Sequence, residues 1–235
     1  MPVAPSSGTS PIATAVTTDD ADAVARHFIR CLDNSRLNTH PYNHWLLGDA
    51  FPEPICQQVV DLPFAPQQAI DTKGKRETNN ASRTYFGAEN RRQFPVCQHL
   101  AQALQSRAVT DRIQALCNTD LTDSFLRIEY CQDTEGFWLE PHTDIGVKRF
   151  TMLIYLSRDP GSENWGTDVL DADHNLVHCA PYRYDGGLIF IPANNTWHGF
   201  HKRPIQGIRR SLIVNYVGAE WRARHELAFP DQPVA

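Results

Sequence analysis

Hydrophobic residues change their spacing part-way along the chain. In the first half they recur at helical intervals. Thr18, Asp19 and Asp20 can cap a helix over 21–32, placing acidic side chains at its positive end. A short apolar piece, Trp45-Leu46-Leu47, follows, and Phe51-Pro52-Glu53-Pro54 opens a second helix over 54–61 that Leu62-Pro63 closes. The polar stretch 72–83 reads as an exposed loop. Over 94–117 the apolar positions Leu100, Leu104, Ile113 and Leu116 predict helix, with a break or a join near 108–111. From Asp123 the period shortens. Residues 125–130 alternate, 150–157 is a compact aromatic and aliphatic run, 187–192 follows a Gly-Gly turn, and 210–217 ends the series.

Short strands separated by Gly, Pro and Asn favour a barrel or jelly roll. The expected fold is therefore mainly β, with the N-terminal helices packed outside and a last helix over about 220–228. Residues 1–18, rich in Pro, Ser, Thr and Ala without Lys or Arg, read as a flexible tail rather than a signal peptide. Residues 19–235 read as one domain: a helical part to about 120, a β core over about 123–218, and the terminal helix.

Composition narrows the function. The chain has 235 residues, 41% hydrophobic and 21% charged, as in ordinary soluble domains. A formal charge of −5 gives no general attraction to nucleic acid or anionic membrane, and no basic stripe with interleaved aromatics is present. No apolar run reaches the roughly 18–20 residues of a membrane helix. Six cysteines, at positions 31, 56, 97, 117, 131 and 179, are scattered without CxxC pairs, which points to reduced thiols and a cytoplasmic setting.

The chemistry lies in Glu140-Pro141-His142-Thr143-Asp144 and Thr196-Trp197-His198. Two residues apart on a strand, His142 and Asp144 can face the same way. With His198 they make two imidazoles and one carboxylate, the facial set suited to a non-haem Fe(II) that activates oxygen. His-x-Asp alone is weak among ten histidines; its context adds weight, because Arg209 and Arg210 follow His198 on the next strand. A 2-oxo acid that binds iron through its keto group and one carboxylate needs a cation for its far carboxylate, and an arginine fork meets that need. The other histidines are set aside: His174 and His178 flank a hairpin, His201 has the wrong strand parity, and His40 and His44 sit in a Pro-containing loop.

On these residues the chain resembles the Fe(II)- and 2-oxoglutarate-dependent dioxygenases of the double-stranded β-helix (jelly-roll, cupin-like) class, close in pattern to the prolyl-hydroxylase-like branch. The resemblance covers roughly residues 123 to 218, through Leu126-Arg127-Ile128-Glu129-Tyr130, Pro141-His142-Thr143-Asp144, 148–157, 165–170, 186–198 and 208–217. It implies His142, Asp144 and His198 as iron ligands and Arg209 as the anchor of the 2-oxoglutarate C5 carboxylate, with Ser211 on the same strand face and Arg210 pointing away. It further implies Tyr155 and Tyr130 as pocket tyrosines, with Thr151 lining the pocket. The implied reaction uses Fe(II), 2-oxoglutarate and O2, with ascorbate as a possible assay additive, and releases succinate and CO2 as an unactivated C–H is hydroxylated. Desaturation, cyclisation and N-demethylation remain open. Related halogenases carry a small residue where this chain has Asp144, which argues against halogenation.

Substrate contacts are expected outside the barrel motifs: Asn79, Asn80 and Arg83 in the polar loop, Arg127 if it faces inward, and Trp165 near the mouth. The competing readings are an Arg83 paired with a surface carboxylate and a Trp165 packed under a loop. A small-molecule or amino-acid-like substrate leads. A protein or peptide side chain, or a non-catalytic jelly-roll binding module, are the alternatives, the last disfavoured because all four residues His142, Asp144, His198 and Arg209 are kept. Oligomeric state is not legible.

Overall fold

The structure, a computed structural model, describes residues 18–66, 74–75 and 83–235. The tail over 1–17, most of the polar loop, and with it Asn79 and Asn80, lie outside the described residues.

The first half is helical. Helix α1 (Thr18–Asp33) buries Val24, Ala25, Phe28 and Leu32 at i, i+4 and i+8 spacing, one face of a helix. Each large apolar side chain buried this way contributes about 1.5–3 kcal/mol. Strands β1 (Arg36–Asn38) and β2 (His44–Leu47) follow, then α2 (Glu53–Val60), which starts on Pro52 with Pro54 in its first turn. After β3 (Thr84–Tyr85) come α3 (Ala88–Gln93), α4 (Pro95–Gln105) and α5 (Arg107–Cys117). The break between α4 and α5 falls at Ser106, earlier than the spacing predicts. Ser106 adopts extended backbone and donates its hydroxyl to the Ala103 carbonyl, ending one helix and opening the next.

The second half supplies β4 (Phe125–Asp133), β5 (Leu139–His142), β6 (Lys148–Tyr155), β7 (Asp168–Leu170), β8 (Leu176–Cys179), β9 (Gly186–Phe190), β10 (His198–Phe200) and β11 (Arg209–Val217). Among the described residues these build two antiparallel sheets. The larger has the order β1-β2-β9-β6-β11-β4-β3, the smaller β5-β10-β7-β8. The β7–β8 hairpin turns on Asp171, whose carboxylate accepts from the backbone of Asp173 and Asn175.

Strand parity divides the large sheet into two environments. Leu126, Ile128 and Tyr130 of β4, Phe150, Met152 and Ile154 of β6, and Leu212, Val214 and Tyr216 of β11 share one face and pack into the helices as one apolar core. The opposite face looks across to the small sheet. There Leu153, Tyr155, Leu188 and Phe190 meet Trp165, Val169, Tyr182 and Phe200 in a second core. The functional residues lie at one end of this inner space.

The C-terminus departs from expectation. Instead of a helix over 220–228 there is a short 3-10 turn, Arg224–Glu226, and then extended chain. Ala228 and Val234 donate their amides to the carbonyls of Leu126 and Ser124, so the segment completes β4's free side, and Pro230 and Pro233 exclude a helix there.

Gly166 shows how tightly the inner space is packed. A Cβ at this position would lie 1.8 Å from the carbonyl oxygen of Ala180. Gly166→Ala is expected to cost about 1–3 kcal/mol of stability, read as a lower urea midpoint at unchanged m-value. An unchanged midpoint would show that the Ala180 backbone yields freely.

Candidate metal and co-substrate site

Two adjacent short strands present the histidines. His142 ends β5 and His198 begins β10, and the two are direct cross-strand partners, with ring centroids 4.3 Å apart. Each ring is oriented by its own chain. His142 Nδ1 donates to the Glu140 carbonyl at 2.8 Å, and His198 Nδ1 donates to the Thr196 carbonyl at 3.0 Å. A carbonyl only accepts, so each Nδ1 carries a proton, and in the neutral ring Nε2 is then the atom with the lone pair a metal needs. Burial, reinforced by the neighbouring His142, lowers the His198 pKa to about 3 against the pull of Asp144, which keeps this imidazole neutral.

Asp144 follows β5 on the turn into β6. Its carboxylate accepts from Lys148 Nζ at 2.5 Å and from Thr151 Oγ1 at 2.6 Å. Ligand atoms of His142, Asp144 and His198 lie within 4.8 Å of one another, the only such group of three or more among the described residues. Two imidazoles and a carboxylate form a donor set that fits a divalent first-row metal such as Fe(II).

Behind the triad the inner face of the large sheet is polar, in rows set by strand register. Thr151, Asn215 and Arg127 are cross-strand neighbours, then Tyr155, Ser211 and Cys131, then Arg209 and Asp133. Asn215 donates to Thr151 Oγ1 at 2.9 Å and accepts from Arg127 at 3.1 Å. Arg127 also binds Glu129 at 2.7 Å and Glu226 at 2.6 Å, and Glu129 pairs with Arg83. Arg209 donates Nε to the Trp165 carbonyl at 2.8 Å and Nη1 to Asp133 at 2.6 Å, beneath the Phe200 ring. Burial pushes the Arg209 pKa down, but Asp133, Tyr182 and Tyr155 together outweigh it and the net direction is up.

Two cavities meet at the triad. The outer one, about 280 Å³, is lined by His142, Asp144, Lys148, Arg127, Trp221 and Glu226 among others. The inner one, about 40 Å³, runs from His142 and His198 past Thr151 and Leu153 to Arg209 and Asp133. Arg83 lines both.

No family model matches the chain, and no curated protein matches it in sequence. Solved structures do. A prolyl hydroxylase from Trichoplax adhaerens, in complex with a hypoxia inducible factor oxygen degradation domain peptide fragment, aligns over 90% of this chain and 97% of its own at 14% identity, with a TM-score of 0.53. A prolyl-4-hydroxylase from Pseudomonas putida aligns over 83% of this chain and 94% of its own at 12% identity and TM-score 0.52. One from Phytophthora capsici aligns over 92% of this chain and 70% of its own at 13% identity and TM-score 0.55. The chain has the fold of the prolyl hydroxylases.

Within that fold the residues singled out from sequence separate into groups. His142, Asp144 and His198 converge, with Thr151 beside them. Arg209 and Ser211 lie on the inner face. Arg210 lies on the other, 3.5 Å from Asp159, as the strand parity requires. Ser211 Oγ is fully buried with no hydrogen-bond partner among the described residues, the kind of hydroxyl that a carboxylate on Arg209 would satisfy. Tyr155 is on the inner face, but its hydroxyl donates to Thr167 Oγ1 at 2.9 Å and its ring stacks on Tyr182, so it lines neither cavity. Tyr130 points the opposite way, into the helix-packed core, because it has odd parity to Glu129 and Cys131. Trp165 is buried, with its indole donating to the Pro204 carbonyl; only its backbone oxygen reaches the site, through Arg209. Arg83 and Arg127 do reach the cavities, each already holding a buried carboxylate.

Several residues were missed. Glu129, Cys131 and Asp133 continue the Arg127 alternation, and a polar residue at every second position of an otherwise apolar strand is a legible sign of a polar inner face. Lys148 sits four residues from Asp144. Trp221 and Glu226 come from the C-terminal segment that was read as helix, and Trp221 stacks on Arg127 with its centroid 5.1 Å from the guanidinium.

His198→Ala is expected to abolish Fe(II) or Mn(II) retention in equilibrium dialysis, and Thr151→Val to weaken it roughly 10–100-fold. His201→Ala, which removes only a contact to Asp168, should leave it unchanged. Full metal retention by His198→Ala would show that the triad is not the centre.

Proposed function

We propose that this chain is an Fe(II)- and 2-oxoglutarate-dependent oxygenase that hydroxylates an unactivated C–H of a small-molecule or amino-acid-like substrate, releasing succinate and CO2. The observation that carries the reading is the convergence of His142, Asp144 and His198 at the mouth of a cavity that ends in Arg209. The prolyl-hydroxylase fold supports it.

Fe(II), when bound, supplies the oxygen activation and the co-substrate supplies two electrons. The chain's own residues do the rest. His142, Asp144 and His198 hold the metal on one side, with their backbone and Thr151 contacts fixing ring and carboxylate orientation. Arg209 and Ser211 receive the C5 carboxylate of 2-oxoglutarate. Leu153, Ile213 and Phe200 line the inner cavity with apolar surface that excludes water. The outer cavity, with cations and anions around Trp221, suits a substrate carrying charge of both signs, which supports the amino-acid-like class. Six free cysteines, five of them buried, agree with a cytoplasmic setting.

A peptide side chain is the second reading, favoured by the fold neighbour whose structure holds a peptide fragment. Succinate release in the presence of Fe(II), ascorbate and 2-oxoglutarate, measured against a panel of amino acids and of proline-containing peptides, separates the two. Amino acids should stimulate turnover and peptides should not; stimulation by peptides alone would reverse the order. Arg209→Ala should raise the 2-oxoglutarate concentration for half-maximal turnover at least about tenfold, whereas Arg210→Ala leaves it near wild type; a loss of roughly 2–5 kcal/mol is typical when one member of a buried charged contact is removed. The absence of succinate and of 2-oxoglutarate binding by the metal-loaded protein would sink the enzyme reading.

A further inference from the structure

We propose that Asp133 is a built-in competitor for Arg209, holding the arginine until the co-substrate carboxylate displaces it, and that Arg83 is the cation that receives the displaced Asp133. The inference rests on the reading of Arg209 as the 2-oxoglutarate anchor.

Three observations carry it. First, Asp133 sits on the inner face directly opposite Arg209 and takes its Nη1 at 2.6 Å, the position a bidentate carboxylate ligand requires. Two carboxylates cannot share that nitrogen without repulsion. Secondly, the cavity beside the pair holds only about 40 Å³, room for about three waters. A five-carbon keto diacid whose carboxylate reaches Arg209 through this narrow space comes against Asp133, the side chain whose charge it replaces. Thirdly, the cavity offers Asp133 a second berth. Arg83 lines the same cavity, its side chain is 7% exposed, and its Nε is buried without a hydrogen-bond partner among the described residues. Its Nη1 is occupied by Glu129, and Nε is a donor still to be used. Burial raises the Asp133 pKa, and Arg209 first and Arg83 after it pull the carboxyl back toward its ionised form.

The exchange has a consequence for the substrate side. Arg83 lines both cavities and binds Glu129, which binds Arg127 at the base of the outer cavity. Moving Asp133 onto Arg83 changes the charge at that shared wall. Asp133 is thus a residue that sets co-substrate affinity, with Arg83 as its positioning partner.

The test is a calorimetric titration of 2-oxoglutarate into the Mn(II)-loaded full chain, as wild type, Asp133→Asn, Arg83→Gln and the double variant. Asp133→Asn keeps the size of the side chain and removes its charge, and should bind about fivefold tighter or better. Arg83→Gln should bind about fivefold weaker, although it does not touch the ligand. In the Asp133→Asn background the Arg83→Gln change should shrink to less than about twofold, because there is no longer a carboxylate to receive. Thermal unfolding gives an independent readout: without 2-oxoglutarate, Asp133→Asn should melt below wild type, and 2-oxoglutarate should raise its midpoint by more than it raises that of wild type. If wild type binds and Asp133→Asn binds no tighter, or if the Arg83→Gln effect is the same in both backgrounds, the competitor role is overturned while the oxygenase reading stands. Binding by neither wild type nor Asp133→Asn overturns both; binding by Asp133→Asn alone supports the competitor role in its strongest form.

Discussion

Everything in this molecule depends on charges being paired inside a sheet-lined space. Arg83, Arg127 and Arg209 pair with Glu129, Asp133 and Glu226 over the inner face of the large sheet, with most of their surface removed from water. Breaking one such pair costs about 3–5 kcal/mol, because it leaves an uncompensated buried charge. That cost is why the inner face is a network rather than a set of contacts. It is also why the strands that carry it, β4, β6 and β11, are paired along nearly their whole length. The apolar face of the same strands, packed on α1, α2, α4 and α5, provides the stabilisation that makes such an inner face affordable.

The network also explains how the carboxylate of the candidate metal site is steadied from far away. Asp144 is held by Thr151, Thr151 by Asn215, Asn215 by Arg127, and Arg127 by the acids of β4 and the C-terminal turn. Each link is a cross-strand neighbour or a side chain laid over one, so a shift in register would break several at once. Trp221 and Tyr85 flank the Arg127 guanidinium, fixing the one group that belongs to most of these links.

What could be read in advance was what depends on period and spacing. The His-x-Asp pair, the distant histidine and the inward parity of Arg209 all follow from side chains alternating along a strand, and the structure places them together. The same rule, applied to Tyr130, shows the limit of resemblance: one residue out of phase with Glu129 and Cys131, it lies in the helix-packed core however well its neighbourhood matches. Trp165 takes its competing reading, packed and buried, and Tyr155 turns its hydroxyl from the cavities, for a different reason: the partners that take their polar atoms, Pro204 and Thr167, lie further along the chain. The terminal segment failed on local propensity. Glu220 to Leu227 has helix-forming residues, yet the start of β4 extends beyond the two residues that β3 pairs, and pairing the chain's end there outweighs an isolated two-turn helix.

The inner cavity brings these points to one place. A site for a dianion could be built from arginine and hydroxyl alone, and Arg209 with the unpartnered Ser211 would suffice. This chain adds a carboxylate opposite the arginine and a second arginine beside it. Without Asp133, Arg209 would be a buried cation with no carboxylate beside it, a condition that costs several kcal/mol. Asp133 removes that cost in the ligand-free state. With Arg209 as the proposed anchor, the same carboxylate stands where the ligand would go, so stability of the pocket and affinity for the ligand would be set against each other in one side chain, and Arg83, reaching into both cavities, would carry that opposition to the substrate side.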